Sequence, residues 1–134
     1  MTLVDWDKLR AAAIDAMSHA YAPYSKFPVG AAALVDDGRI VVGCNVENAS
    51  YPEGICAESA AMGAMVSAGE TVLVEVLTIA DGEHLTTPCG GCRQRIREFA
   101  TPGTRVHAAG PEGIRRTFTI EELLPAAFES ENLV

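Results

Sequence analysis

Cysteine and aromatic residues are scarce in this sequence: there are four cysteines in 134 residues, and aromatic residues make up 6%. Four cysteines are far fewer than a small disulfide-stapled domain contains, so a hydrophobic core must hold the fold together. Hydrophobic residues make up 49% of the chain. A chain of this length can bury roughly two-thirds of its unfolded surface. The sequence therefore predicts one globular domain over residues 1–134.

Long apolar runs are missing, and basic residues are outnumbered by acidic ones. No run approaches the ~18 residues needed to cross a bilayer, and the N-terminus lacks the cationic start and apolar stretch of a secretory signal. Lys and Arg number 10 against 18 Asp and Glu, which gives a net charge of −8. Sequence-independent nucleic-acid binding depends on a basic surface, which this composition disfavours. We expect a cytoplasmic protein with neither a membrane nor a nucleic acid as partner, in which the cysteines stay reduced.

Helical and strand patterns alternate along the chain. Apolar residues at three-to-four spacing predict helices, apolar runs between turn residues predict strands, and Asp36-Asp37-Gly38-Arg39 predicts a hairpin turn. The predicted helices span residues 5–20, 56–68, 90–99 and 120–128, and the predicted strands span 29–35, 40–45, 71–80, 105–109 and 117–119. This order predicts an α/β fold in which helices cover a mixed sheet.

Three of the four cysteines lie in two short motifs that each open a predicted helix. Cys56-Ala57-Glu58 is the first, and the Cys89 of Pro88-Cys89-Gly90-Gly91-Cys92 follows 33 positions after Cys56. Backbone N–H groups at a helix N-terminus stabilise thiolates, and a Cys-x-x-Cys pair there brings its two sulfurs to one point. Three thiolates would hold Zn²⁺ and leave its fourth tetrahedral position open, as catalytic zinc sites do.

Other interpretations of these cysteines exist. A lone Cys-x-x-Cys is also typical of redox-active dithiols and of half a structural zinc site. Nothing before Cys89 provides a thioredoxin-like context, and a structural site would need Cys44, which lies inside an apolar strand. Glu58, two residues after Cys56, can reach the open position without ligating, and Pro88 precedes the second motif. Together these residues match the signature of zinc deaminases, in which the glutamate moves protons.

Beyond these motifs, the sequence resembles the small, single-domain cytidine deaminases from about residue 21 to residue 128. The resemblance rests on Phe27-Pro28-Val29-Gly30-Ala31, Asn45-Val46-Glu47-Asn48-Ala49-Ser50-Tyr51, the two cysteine motifs with Arg93 and Gln94, and Leu123-Leu124-Pro125-Ala126-Ala127-Phe128. It implies a three-layer α/β/α cytidine-deaminase-like fold around a mixed, mostly five-stranded sheet. It also implies pyrimidine salvage: hydrolytic deamination of cytidine and 2′-deoxycytidine to uridine and 2′-deoxyuridine, with release of ammonia.

The resemblance also assigns roles to residues. It implies that Cys56, Cys89 and Cys92 bind one Zn²⁺ per subunit and that Glu58 is the general acid and base. The implied nucleoside contacts are Phe27 on the pyrimidine ring, Asn45 and Glu47 on the ribose hydroxyls, and the Ala57 N–H and the Thr87 carbonyl on the base edge. Similar enzymes are homotetramers, which would place Tyr51 and Phe128 near the ligand of a neighbouring subunit.

Residue type alone does not distinguish these contacts from ordinary structural roles. Without the resemblance, Phe27 and Phe128 fit hydrophobic packing, Tyr51 fits a loop, and Asn45 and Glu47 fit a solvated strand end. The histidines His19, His84 and His107 stand outside every motif, and we expect them to be structural or solvated.

Ser59 departs from the family pattern, because many close relatives carry Arg directly after the catalytic Glu. Three thiolates on Zn²⁺ leave a net charge of about −1, which an arginine beside the sulfurs would offset. We expect Gln94, the N–H groups of the two helix starts and Arg93 to offset this negative charge in place of the missing arginine.

Three other functions fit parts of the pattern. The chain could deaminate another small aminopyrimidine, such as the nucleoside blasticidin S or free cytosine, although Phe27, Asn45 and Glu47 favour a ribonucleoside. A polynucleotide-editing deaminase is disfavoured by the acidic composition and the lack of a basic, aromatic-rich stretch. A non-catalytic, zinc-stabilised interaction module is disfavoured by the presence of Glu58.

Overall fold

The computed structural model describes residues 3–133, so the domain predicted over residues 1–134 extends beyond the described residues at both ends. Short 3₁₀ turns lie at Tyr51–Glu53 and Ser130–Leu133. The helices are α1 (Trp6–Ser18), α2 (Ala57–Ser67), α3 (Gly90–Phe99) and α4 (Ile120–Leu123). The strands are β1 (Val29–Val35), β2 (Ile40–Cys44), β3 (Leu73–Ala80), β4 (Ala100–Gly110) and β5 (Gly113–Thr119). None of the helices within residues 3–133 is long and apolar enough to span a membrane.

The five strands form one mixed sheet in the order β2-β1-β3-β4-β5. β3 and β4 run parallel, and the other neighbouring strands run antiparallel. Parallel neighbours need a crossover connection, which α3 provides between the end of β3 and the start of β4. The prediction of a mixed, five-stranded sheet is therefore confirmed, and the crossover is the segment that carries Cys89 and Cys92.

Helices cover both faces of the sheet, which confirms the predicted three-layer α/β/α architecture. On one face, Leu9 of α1 packs in a buried cluster with Leu77 of β3. On the other face, Met65 of α2 and Ile96 of α3 belong to a buried cluster with Val76 of β3. Successive side chains of a strand point to opposite faces, so the apolar run of β3 serves both clusters.

Two glycines let the helices approach the sheet closely. A Cβ added at Gly30 of β1 would lie 2.1 Å from the backbone oxygen of Ala13 in α1. A Cβ added at Gly43 of β2 would lie 2.4 Å from the backbone nitrogen of Ala61 in α2. No side chain fits in either place, because both distances are far below van der Waals contact. Gly43 therefore fixes how close α2, and the motif at its start, lies to the sheet.

Three predicted elements differ clearly in extent from those observed, and the first two are the last helix and the strand before the sheet edge. The last helix was predicted over residues 120–128, but α4 ends at Leu123. Pro125 disfavours the helical conformation of the residue before it, and Leu124 adopts φ −141° and ψ 70°. The strand predicted over residues 105–109 begins instead at Ala100. Pro102 does not interrupt it, because the register shifts opposite Leu73–Glu75 and a proline is tolerated in such a bulge.

The edge strand predicted over residues 117–119 is longer than expected, because β5 begins at Gly113. Its pairing with β4 explains a buried polar group. His107 of β4 is 2% exposed, and its Nδ1 lies 2.8 Å from the Thr117 hydroxyl of β5. Its Nε2 lies 3.3 Å from Glu75 Oε1, which also pairs with Arg105. His107 therefore has a structural role within the sheet, and it does not belong to the cysteine cluster described below.

Candidate active site

The two cysteine motifs meet where α2 and α3 begin. Cys56 and Cys89 are the N-cap residues of α2 and α3, and Cys92 lies in the first turn of α3. The three Sγ atoms lie within 4.8 Å of one another, and those of Cys56 and Cys89 are 3.7 Å apart. Within residues 3–133, no further cysteine, histidine or carboxylate joins this group. The fourth cysteine, Cys44, is half-buried on β2.

The sulfur cluster fits a zinc ion. Zn–S bonds of about 2.3 Å place two sulfurs of a tetrahedral site about 3.8 Å apart, which agrees with the separation of Cys56 and Cys89. Thiolates are preferred zinc ligands, and three of them leave one position for water or substrate. The observed cluster therefore has the donor set and the spacing of a catalytic zinc site.

The three thiols have different pKa values. Burial raises the pKa of Cys92 to about 12, against the opposing effect of the Ser59 hydroxyl, and burial also raises the pKa of Cys56. Burial acts on Cys89 as well, but hydrogen bonds from the Cys92 and Gly91 N–H groups help to bring the pKa of Cys89 below its usual value. Cys89 is therefore the thiol that ionises most readily, and binding of zinc by the cluster releases protons.

Glu58 lies beside the sulfurs in the first turn of α2 and is only 4% exposed. Its charge raises the pKa of both Cys56 and Cys92. Burial raises the pKa of Glu58 itself, against smaller opposing effects of its own backbone N–H and the Thr78 hydroxyl. The Thr78 hydroxyl is buried and has no hydrogen-bond partner of normal geometry among residues 3–133. A carboxyl group in such surroundings is suited both to accept and to donate a proton.

A cleft of about 300 Å³ opens beside Glu58. It brings together six of the residues singled out from the sequence: Phe27, Asn45, Glu47, Cys56, Ala57 and Glu58. Ser25, Val29 and Thr86 also line it, although sequence reasoning missed them. Their only signal was proximity in the chain, because Ser25 and Val29 flank Phe27 and Thr86 precedes Thr87. Phe27 is 42% exposed, so its ring forms an open apolar wall rather than part of the core.

Asn45 and Glu47 hold the walls of this cleft in place. The Asn45 side chain accepts a hydrogen bond from the Val29 N–H (2.9 Å) and donates one to the Phe27 carbonyl (2.9 Å). Glu47 Oε1 accepts from the N–H groups of Tyr24 (3.0 Å) and Ser25 (3.1 Å), and Oε2 accepts from the Ser25 hydroxyl. The Ser25 hydroxyl and N–H keep the pKa of Glu47 below its usual value. Glu47 is therefore a fixed anion at the mouth of the cleft.

Three other residues singled out from the sequence lie outside this cleft. Tyr51 is 75% exposed and lines an adjoining cleft of about 330 Å³ that shares Ser25 and Glu47. Phe128 is 57% exposed, and its carbonyl accepts a hydrogen bond from the Gln94 side chain (2.9 Å). The Thr87 hydroxyl accepts a hydrogen bond from Arg93 (3.0 Å).

The residues around Ser59 are arranged differently from the expectation. Arg93 donates to the carbonyls of Pro88 (2.7 Å) and Leu123 (2.9 Å), so it braces the segment before Cys89 rather than a sulfur. Gln94 is engaged with Phe128, as described above. The Ser59 hydroxyl lies 3.1 Å from Cys92 Sγ, and its oxygen accepts a hydrogen bond from Arg95 (3.0 Å). Sequence reasoning did not single out Arg95.

The cysteine cluster can hold a metal ion that would activate water, and the buried carboxyl group of Glu58 beside it can move protons. This combination is that of a metal-dependent hydrolytic enzyme. The chain belongs to the cytidine and deoxycytidylate deaminase family, whose zinc-binding region matches residues 5–108. Similar proteins include the cytidine deaminase of Sporosarcina psychrophila, which is 43% identical over 97% of this chain and 96% of its own length. The cytidine deaminase of Mycobacterium tuberculosis is 45% identical over 97% of this chain and 94% of its own.

Solved structures agree with this assignment. The crystal structure of a cytidine deaminase from Burkholderia pseudomallei superposes with a TM-score of 0.86 at 38% identity, covering 94% of this chain and 100% of that one. The crystal structure of the cytidine deaminase from Mycobacterium tuberculosis gives a TM-score of 0.80 at 43% identity, over 95% and 99% of the two chains. The protein is therefore a deaminase of the zinc-binding type.

Proposed function

We propose that this protein deaminates cytidine and 2′-deoxycytidine by hydrolysis, yielding uridine or 2′-deoxyuridine and ammonia for pyrimidine salvage. The observation that carries the proposal is one cleft, in which Glu58 and Cys56, a member of the sulfur cluster, lie together with Phe27, Asn45 and Glu47. The high identity to curated cytidine deaminases supports the same substrate class.

Cys56, Cys89 and Cys92 would hold the zinc, which when bound lowers the pKa of water to near neutrality. Glu58 accepts a proton from the attacking water and delivers it to N3 of the pyrimidine ring. The water oxygen bonds to C4 as the C4–N3 double bond becomes a single bond. Glu58 then takes the remaining proton of that oxygen and gives it to the amino nitrogen, so the C4–N bond breaks, ammonia leaves and C4 becomes the carbonyl carbon of uridine. Because Glu58 is buried beside the sulfurs, these transfers need no movement of bulk water.

The cleft, together with Thr87, which follows the cleft-lining Thr86, would recognise a nucleoside by three kinds of contact. Phe27 offers an apolar face to the pyrimidine ring, and the Ala57 N–H and the Thr87 carbonyl read the base edge. Asn45 and Glu47 bind the ribose hydroxyls. Glu47 is preorganised for this by Tyr24 and Ser25, so ordering its side chain costs little on binding.

We further propose that the whole chain acts as one domain within a cytoplasmic homotetramer. Tyr51 and Phe128 expose large aromatic rings next to clefts that this chain leaves open. A neighbouring subunit would cover these rings and close the nucleoside site. With a net charge of −8, the protein would act on small molecules rather than on nucleic acid.

Ammonia release from cytidine tests the proposed function directly. The purified protein should release one ammonia per uridine formed, and a zinc chelator should abolish the reaction until zinc is restored. A substrate panel of cytidine, 2′-deoxycytidine, free cytosine and blasticidin S separates the proposal from its alternative. Turnover of blasticidin S without turnover of cytidine would identify a deaminase of another aminopyrimidine nucleoside.

Glu47 predicts poor use of a 3′-phosphorylated substrate. A 3′-phosphate would meet the fixed carboxylate in a confined cleft, and two anions in contact repel each other. We expect kcat/KM for 3′-CMP to be about 100-fold lower than for cytidine, since a site built for a hydroxyl rejects misfit groups strongly. Glu47→Gln should narrow that gap, and equal use of both substrates by the unmodified protein would contradict the assigned role.

A further inference from the structure

Ser59 connects the sulfur cluster to a cation on another helix. Its hydroxyl lies 3.1 Å from Cys92 Sγ and 3.0 Å from an Nη atom of Arg95. A guanidinium group can only donate hydrogen bonds, so the Ser59 oxygen is the acceptor of that contact. The hydroxyl hydrogen is then free to point at the sulfur. Two hydrogen bonds therefore run in series: Arg95 of α3 donates to the Ser59 oxygen of α2, and the Ser59 hydroxyl donates to Cys92 Sγ. We call this pair of hydrogen bonds the relay.

The backbone of α3 leaves space for this contact. A Cβ added at Gly91 would lie 3.1 Å from the Arg95 Nη1 atom and 3.9 Å from its Cζ atom. The guanidinium therefore lies across the first turn of α3, over a position that has no side chain. Apart from the Ser59 contact, it faces a groove of about 460 Å³ between α2 and α3, whose apolar lining includes Met62 and Phe99.

The charge of Arg95 is not neutralised by a carboxylate. Among residues 3–133, no Asp or Glu lies within ion-pair distance of Arg95, although Glu98 lines the same groove. By contrast, Arg97 on the same helix pairs with Glu129 at 2.8 Å. Arg95 is therefore an available cation next to a cluster that, with three thiolates and one Zn²⁺, carries a net charge of about −1.

Arg93 and Gln94, which were expected to offset the charge of the three thiolates, form hydrogen bonds with backbone carbonyls instead of with the sulfurs. Arg93 binds the Pro88 and Leu123 carbonyls, and Gln94 binds the Phe128 carbonyl. We propose that Arg95 is a positioning residue of the metal centre, which stabilises the anionic three-thiolate site through the Ser59 hydroxyl. The inference rests on the zinc role in the proposed function. It assigns to an arginine on a different helix the charge that an arginine at position 59 would provide.

Zinc affinity of the purified protein tests the relay without any nucleoside. Competition with a chromogenic chelator at fixed pH should show about tenfold weaker zinc binding for Arg95→Gln and for Ser59→Ala, in the range found for outer-shell partners of metal ligands. The double variant should bind zinc no more weakly than Ser59→Ala alone, because Arg95 acts only through the hydroxyl. Unchanged affinity of Arg95→Gln, or fully additive losses in the double variant, would overturn the proposal.

Arg116→Gln is the matched control, because it removes the same charge from β5, where the guanidinium stacks on the Phe118 ring and its charge acts on Glu122. Its zinc affinity should equal that of the unmodified protein. A tenfold loss there would mean that net charge, and not the relay, governs metal binding. Thermal unfolding of the metal-free variants shows whether Arg95→Gln folds normally; equal midpoints are expected.

A cobalt(II)-substituted protein provides a readout that a purely structural role would not change. A hydrogen bond to a thiolate lowers the energy of its lone pairs, so loss of the bond shifts the sulfur-to-cobalt charge-transfer band to longer wavelength. Arg95→Gln and Ser59→Ala should both show this shift, and Arg116→Gln should not. An unshifted band in Arg95→Gln would refute the relay, whereas failure to deaminate cytidine would refute only the proposed substrate.

Discussion

Glu58→Gln is expected to abolish turnover while zinc remains bound. Glutamine has nearly the same shape as glutamate, but it can neither accept the proton of the attacking water nor return it to the leaving group. Positioned proton transfer contributes ~10² to 10⁴-fold to a rate, and kcat should fall by at least this factor. Because Glu58 does not belong to the group of sulfur ligands, metal content should stay at one zinc per chain.

Two measurements make this expectation specific. Metal analysis and kcat should be determined on the same preparation, with Glu121→Gln as the control, because Glu121 is an exposed carboxylate in the first turn of α4. That control should keep its full rate. If Glu58→Gln lost its zinc, Glu58 would be a ligand, and if it kept more than about a tenth of the rate, another group would move the protons.

Gly43→Ala is expected to disrupt the site without changing any residue in it. The added methyl group would lie 2.4 Å from the Ala61 nitrogen and 2.5 Å from the Ala57 oxygen. To reach ordinary contact distances, α2 must withdraw from the sheet by roughly 1 Å, which carries Cys56 and Glu58 with it. Such a displacement costs about 100-fold in rate, and overpacking of this kind costs about 3 kcal/mol of stability.

The matched control for this variant is Gly103→Ala. Apart from its chain neighbours, a Cβ at Gly103 meets no atom of residues 3–133 within 4 Å, so the same chemical change there should leave stability and activity unaltered. Urea unfolding and kcat/KM should be measured for both variants, and we expect both stability and activity to fall only in Gly43→Ala. Normal stability of Gly43→Ala would mean that α2 can shift freely, and the site would then not depend on its contact with β2.

Local patterns predicted the elements that carry the chemistry. The hairpin turn at Asp36–Arg39, the apolar run of β3 and the cysteine motifs at two helix starts were predicted from short-range features and were observed. Their signals are strong because turn residues and N-capping depend on a few neighbouring positions. The strand order was not available from such signals, since it depends on contacts between distant parts of the chain.

The sequence was least informative where two elements meet. The last helix was overextended because its apolar spacing outweighed Pro125 in the prediction, whereas the backbone of Leu124 leaves the helical region. The Arg95 contact was missed for a different reason. Ser59 and Arg95 are 36 positions apart, and only the packing of α2 against α3 brings them together. No periodicity or motif encodes such a pair.

The position of the cysteines also makes zinc a reversible cross-link of the chain. Cys56 precedes β3, and Cys89 and Cys92 follow it, so a bound ion closes a loop around the central strand of the sheet. A ligand that binds only the folded state adds about 2.7 kcal/mol of stability when its free concentration is 100 times its Kd. The lifetime of the folded protein should therefore follow the free zinc of its surroundings, and zinc starvation would reduce its abundance as well as its activity.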